Sequence, residues 1–69
     1  PAEWVGTGRP ELLVALRGEV NVRLSDTSGE ADVHLDAPHA GVFVEDGMRC
    51  FVRFLNPSGT VLRLIASKP

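Results

Sequence analysis

The sequence is short of almost everything that announces chemistry. Its 69 residues include no tyrosine and only one cysteine (Cys50), one tryptophan (Trp4), one methionine (Met48) and one lysine (Lys68). A single cysteine excludes an intrachain disulfide. The two histidines, His34 and His39, lie across a proline turn and lack the spacing of a structural zinc site. No metal and no other cofactor is expected. No apolar run reaches the roughly 18 residues of a membrane span, and no signal-peptide pattern appears. The arginines, at 9, 17, 23, 49, 53 and 63, are scattered among acids, and the net charge is −2. Without a basic run, nucleic-acid binding is not expected either. A lone thiol and no targeting segment fit a cytoplasmic protein.

What is present is strand-forming sequence. The chain turns on Glu11-Leu-Leu-Val-Ala-Leu-Arg-Gly18. Its short apolar run closed by glycine reads as a strand buried on both faces. Glu11 opens it on the same side as Leu13 and Ala15, at the expected rim of a barrel. Residues 19–25 alternate Val20, Val22 and Leu24 with polar neighbours. Residues 30–36 alternate Ala31, Val33 and Leu35 in the same way, and the Asp26–Gly29 turn between makes a hairpin. Residues 42–44 form a short strand, and Asp46-Gly47 is a tight turn. Residues 48–55 place Cys50, Val52 and Phe54 on one face, and residues 60–66 form the last strand. Residues 1–10 carry two Pro and two Gly and read as an arm with a short extended piece at Trp4-Val5, Trp4 plugging a barrel end or a subunit contact.

No segment has a sustained helical period, so the expected fold is all-β: one domain over residues 1–69, a small antiparallel barrel or sandwich of five to seven strands. Its expected core is Leu13, Ala15, Val20, Val22, Leu24, Val33, Leu35, Val42, Val44, Val52, Phe54, Leu62 and Leu64. A chain this size buries only about 60% of its unfolded surface. The hydrophobic fraction of 43% therefore points to self-association, a dimer above all, covering Leu12, Val14 and Leu16.

The order and spacing of these stretches resemble the cupin superfamily, whose folds are of the jelly-roll type. Glu11, six residues, then Gly18 is similar to the end of its first motif. Gly41-Val-Phe-Val-Glu-Asp-Gly-Met-Arg-Cys50 follows the outline of its second. Within the superfamily the text looks most like the sugar 3,4-ketoisomerases, which act on dTDP-linked 4-keto-6-deoxyhexoses. The similar stretches are Leu13–Val22, Val33–Val44 and Val61–Ser67. The departures carry as much information. The resemblance puts a His-Ala-His motif at Val5 and Thr7, and another histidine at Cys50. Of the cupin metal ligands it implies, only Glu11 survives, and one carboxylate with the Cys50 thiol, without imidazole, is a poor metal site.

The resulting expectation is a degenerate, non-catalytic cupin-like module that self-associates and takes a small polar or sugar-nucleotide ligand. Its ligand-binding candidates are Glu11, Arg17, Arg49 and Cys50. Arg17 or Arg49 is the expected partner of Glu11, and Arg49 could lower the pKa of the Cys50 thiol. Arg49 and Arg53 flank Phe51 on one face, where they fit either an anion or cross-strand acids. Two rival readings are an active ketoisomerase, with Glu11 and a histidine as acid and base, and a barrel that docks a protein partner. The first requires Glu11 within hydrogen-bond reach of an imidazole.

Overall fold

A computed structural model describes residues 3–66, and of Trp4 the backbone alone, so the expectation for its side chain lies outside the described residues. Seven strands run in chain order: β1 (Glu3–Val5), β2 (Glu11–Arg17), β3 (Glu19–Asp26), β4 (Gly29–Asp36), β5 (Ala40–Val44), β6 (Arg49–Phe54) and β7 (Thr60–Ile65). They form two antiparallel sheets, one of four strands in the order β1-β6-β3-β4 and one of three in the order β5-β2-β7. The all-β reading holds. The arm contributes β1, in which Glu3, Trp4 and Val5 pair with Arg53, Val52 and Phe51.

Facing apolar sides of the two sheets make the core. Leu13 and Ala15 come from β2, Val44 from β5, and Val20, Val22, Leu24, Leu35, Cys50 and Val52 from the four-stranded sheet. Val33, Val42, Phe54 and Val61 are partly buried against this cluster. Burial of apolar area in alternating strands is what orients each sheet, because successive side chains leave opposite faces.

Three expectations about this core need correction. β2 is buried on one face only: Leu13 and Ala15 are fully enclosed, while Leu12 and Leu16 are exposed within the chain. Leu62 and Leu64 lie outside the core. Leu13 is paired with Arg63 and Ala15 with Val61, and directly opposed residues share a face, so Val61 and Arg63 turn inward and the two leucines outward. Ala31, read with Val33 and Leu35 as the inward set of its strand, is exposed.

Gly18 makes the step from one sheet to the other. Its φ is +78°, a left-handed conformation that suits glycine, and a Cβ there would stand 3.0 Å from both Asn56 Oδ1 and Gly59 Cα. Asn56 Oδ1 is not free to move, since the Glu19 N–H donates to it at 2.6 Å. Gly18→Ala is expected to lose about 1–2 kcal/mol from the backbone conformation alone, before the clash is added. Urea denaturation of the variant at pH 7 checks this, and an unchanged midpoint contradicts it.

Candidate functional site

Glu11 is the one buried charged residue among the described side chains, at 1% exposure. It does not sit half in water at a rim. A buried carboxylate survives only with partners, and it has them. Arg63 Nε donates to Oε1 at 2.7 Å and Arg63 Nη2 approaches Oε2 at 3.5 Å. The Thr7 N–H and the Thr7 hydroxyl both donate to Oε2 at 3.3 Å. Burial is the largest influence and pushes the Glu11 pKa up. The Arg63 hydrogen bonds, the Thr7 backbone and hydroxyl bonds, and the guanidinium charge together outweigh it. The net shift is downward from 4.5, so Glu11 is an anion at neutral pH.

Local structure explains how these groups meet. β2 brings Glu11 to the N-terminal end of the inner face. β7 runs antiparallel beside it, which places Arg63 opposite Leu13, one inward position further along. The arm closes the third side. The Gly6 N–H donates to the Cys50 carbonyl at 2.7 Å, and a Cβ on Gly6 would stand 2.9 Å from Cys50 Cβ and 3.2 Å from Glu11 Oε2. Glycine is what lets the arm lie this close to the ion pair.

Cys50 is therefore a neighbour of Glu11, as a shared site requires. Its environment suppresses reactivity. Burial pushes the thiol pKa up and the Glu11 carboxylate adds to the effect, while Arg63 opposes it without prevailing. Arg49 does not activate the thiol: Arg49 is exposed and Cys50 is 2% exposed, on opposite faces of β6.

Of the four candidate ligand residues, the structure brings together Glu11 and Cys50 and separates the other two. Arg17 lies exposed at the far end of β2, beyond an irregularity in the pairing with β7. Arg49 lines an open groove of about 560 Å³ at the β3–β4 turn, with Ser25, Asp26, Ser28 and Glu30. Asp26 is occupied there by the Ser28 hydroxyl and N–H at 2.6 and 2.8 Å. Arg53 takes the cross-strand acid, Glu3, at 3.7 Å. Val5, one of the two positions at which the cupin resemblance puts histidine, is 67% exposed.

The histidines do not join the site. His34 Nε2 is 3.7 Å from Glu19 on an exposed strand face, and His39 is exposed in the β4–β5 turn. No group of three or more metal-binding side chains occurs among the described residues, which agrees with the donor set here: one carboxylate already bound by guanidinium and one protonated thiol. Sequence reasoning missed Gly6 and Arg63, and placed Thr7 only as a lost histidine. The available signal for Arg63 was its isolation as the one charge within the apolar strand Val61–Ile65.

The family model FdtA: WxcM-like, C-terminal matches residues 7–69. The chain belongs to this family. The WxcM-like match covers every strand but β1, and it identifies the sandwich as a sugar 3,4-ketoisomerase-related cupin domain. No curated protein and no solved structure matches the chain. No helix among the described residues is long and apolar enough to cross a membrane.

Proposed function

We propose that this WxcM-like domain is a non-catalytic cupin module that self-associates, and that it meets small polar or sugar-nucleotide ligands at its surface groove beside Arg49 rather than in its interior. The observation that carries the reading is the state of Glu11. Moving a proton between C3 and C4 of a keto sugar needs a base with a free lone pair and an acid to answer it. The Glu11 carboxylate is enclosed, its oxygens take Arg63 and Thr7, and its pKa is held down, so it is a poor base and has no room for a substrate carbon.

The rival reading, an active ketoisomerase, draws on family membership. Against it, the imidazole that it requires is not among the hydrogen-bond partners of Glu11. The test is incubation of the purified protein with a dTDP-linked 4-keto-6-deoxyhexose, followed by proton NMR for exchange or transfer at C3. The expected result is no change of the sugar. Turnover that Glu11→Gln abolishes would sink the proposal.

A further inference from the structure

The segment between β1 and β2 covers closely enclosed groups while holding to them by little. Beneath it lie Glu11, at 1% exposure, and Cys50, at 2%. The segment itself is at the surface: Gly6 is half-buried, and Thr7, Gly8 and Arg9 are exposed. No described residue before Glu11 belongs to the apolar cluster that joins the two sheets or packs against it.

What holds this segment is polar. The Gly6 N–H donates to the Cys50 carbonyl at 2.7 Å, and the Gly47 N–H donates to the Gly8 carbonyl at 3.3 Å. The Thr7 N–H and hydroxyl reach Glu11 Oε2 at 3.3 Å, long beside the roughly 2.8 Å of a well-formed bond to a carboxylate. Both ends are fixed independently. β1 pairs with β6 on one side, and the Ala66 N–H donates to the Pro10 carbonyl at 2.9 Å on the other. Gly8 lies between them at a φ of +86°, and a Cβ there would meet nothing within 4 Å. The chain therefore has a flexible residue with open space around it at the middle of the segment.

We propose that residues 6–9 form a strap, latched by Thr7 on Glu11, which opens while both sheets stay folded and lets water and small solutes reach Cys50 and Glu11 Oε2. The sandwich does not depend on a closed strap. Its apolar cluster lies elsewhere, and Arg63 Nε keeps Glu11 Oε1, at 2.7 Å, when Thr7 leaves Oε2. A segment with few buried apolar contacts opens at a free energy well below that of global unfolding. The interior is thus closed by a part that moves, a property separate from ligand binding beside Arg49.

Trapping of the Cys50 thiol with iodoacetamide at pH 8 tests the strap, with the labelled fraction read by intact mass and each rate normalised to that of the urea-unfolded chain. Strap opening exposes little surface. The wild-type rate is therefore expected to stay nearly flat at low urea, and to turn upward only where global unfolding takes over with its steep dependence. Thr7→Val removes the hydroxyl bond and is expected to raise the flat rate about threefold, while Thr7→Ser keeps it near wild type. Gly8→Ala meets no atom but holds alanine in the left-handed region, and is expected to raise the flat rate about tenfold. Labelling that follows the full unfolding slope from the lowest urea overturns the proposal, because Cys50 is then reached only through global unfolding. A flat branch that neither Thr7→Val nor Gly8→Ala moves overturns it as well. A branch moved by Gly8→Ala but not by Thr7→Val overturns the latch.

Discussion

Arg63→Ala is expected to cost about 3–5 kcal/mol at pH 7, because it removes one partner of a buried pair and leaves the other charge enclosed. A 69-residue domain at about 0.05–0.15 kcal/mol per residue has only about 3–10 kcal/mol to lose, so the variant is near its unfolding limit at neutral pH. The pH dependence should also shift. In the wild type the Glu11 pKa is depressed on folding, so its contribution is present above 4.5 and is lost as pH falls through the lower folded value. Without the Arg63 hydrogen bonds and charge, only the Thr7 hydrogen bonds are left to oppose burial, and the folded pKa rises relative to wild type. The variant then gains relative stability as pH falls from 7 towards 4, where Glu11 takes a proton. Urea midpoints at pH 4, 5.5 and 7 for both proteins read this directly. Parallel pH profiles would contradict it.

Leu13→Ala is expected to cost about 2–5 kcal/mol. Leu13 is fully enclosed at the centre of β2, flanked on its own sheet by Val42 and Arg63, and belongs to the cluster that joins both sheets. The loss has two parts, the apolar surface no longer removed from water and the cavity that the remaining side chains fail to fill. Collapse is limited here because hydrogen-bonded strands on both sides hold β2 in place. For a domain of this size each kcal/mol moves the melting temperature by about 4–8 °C, so a fall of at least about 8 °C is expected in a calorimetric scan. Leu12→Ala is the matched control, since Leu12 is 37% exposed on the opposite face and should cost far less in the monomer.

Those two positions also show what could be read from the chain itself. Strand positions followed from period-two alternation and turn residues, which depend on neighbours in sequence, and β2 lies where its apolar run and Gly18 place it. The inward phase of β7 did not follow. In Val61-Leu-Arg-Leu-Ile65 the alternation puts leucines on one face and an arginine on the other, and local reasoning sends the arginine to water. The need that overrides this is 52 residues away, in the buried carboxylate of Glu11. The same limit applies to the arm. Nothing local marks Gly6 as the point of approach to Cys50, because the pairing of β1 with β6 is what brings it there. Glu11 and Cys50 were legible as neighbours through the order of the cupin-like motifs. Their environment, set by Arg63 and Thr7, was legible only in three dimensions.

That environment also bears on the proposal that Glu11 serves no catalysis. A charged pair in the interior is retained at a desolvation cost, and a well-packed apolar pair of similar volume often serves stability equally well. If Glu11 and Arg63 serve only to satisfy one another, removing both together should be tolerated where removing either is not. The most direct test of the account is therefore a double-mutant cycle by equilibrium denaturation at pH 7, with Glu11→Met, Arg63→Leu and the two combined. The account predicts that the combined variant loses less than about 1.5 kcal/mol relative to wild type, and that the two losses couple by at least about 2 kcal/mol. A combined loss equal to the sum of the single losses would contradict it.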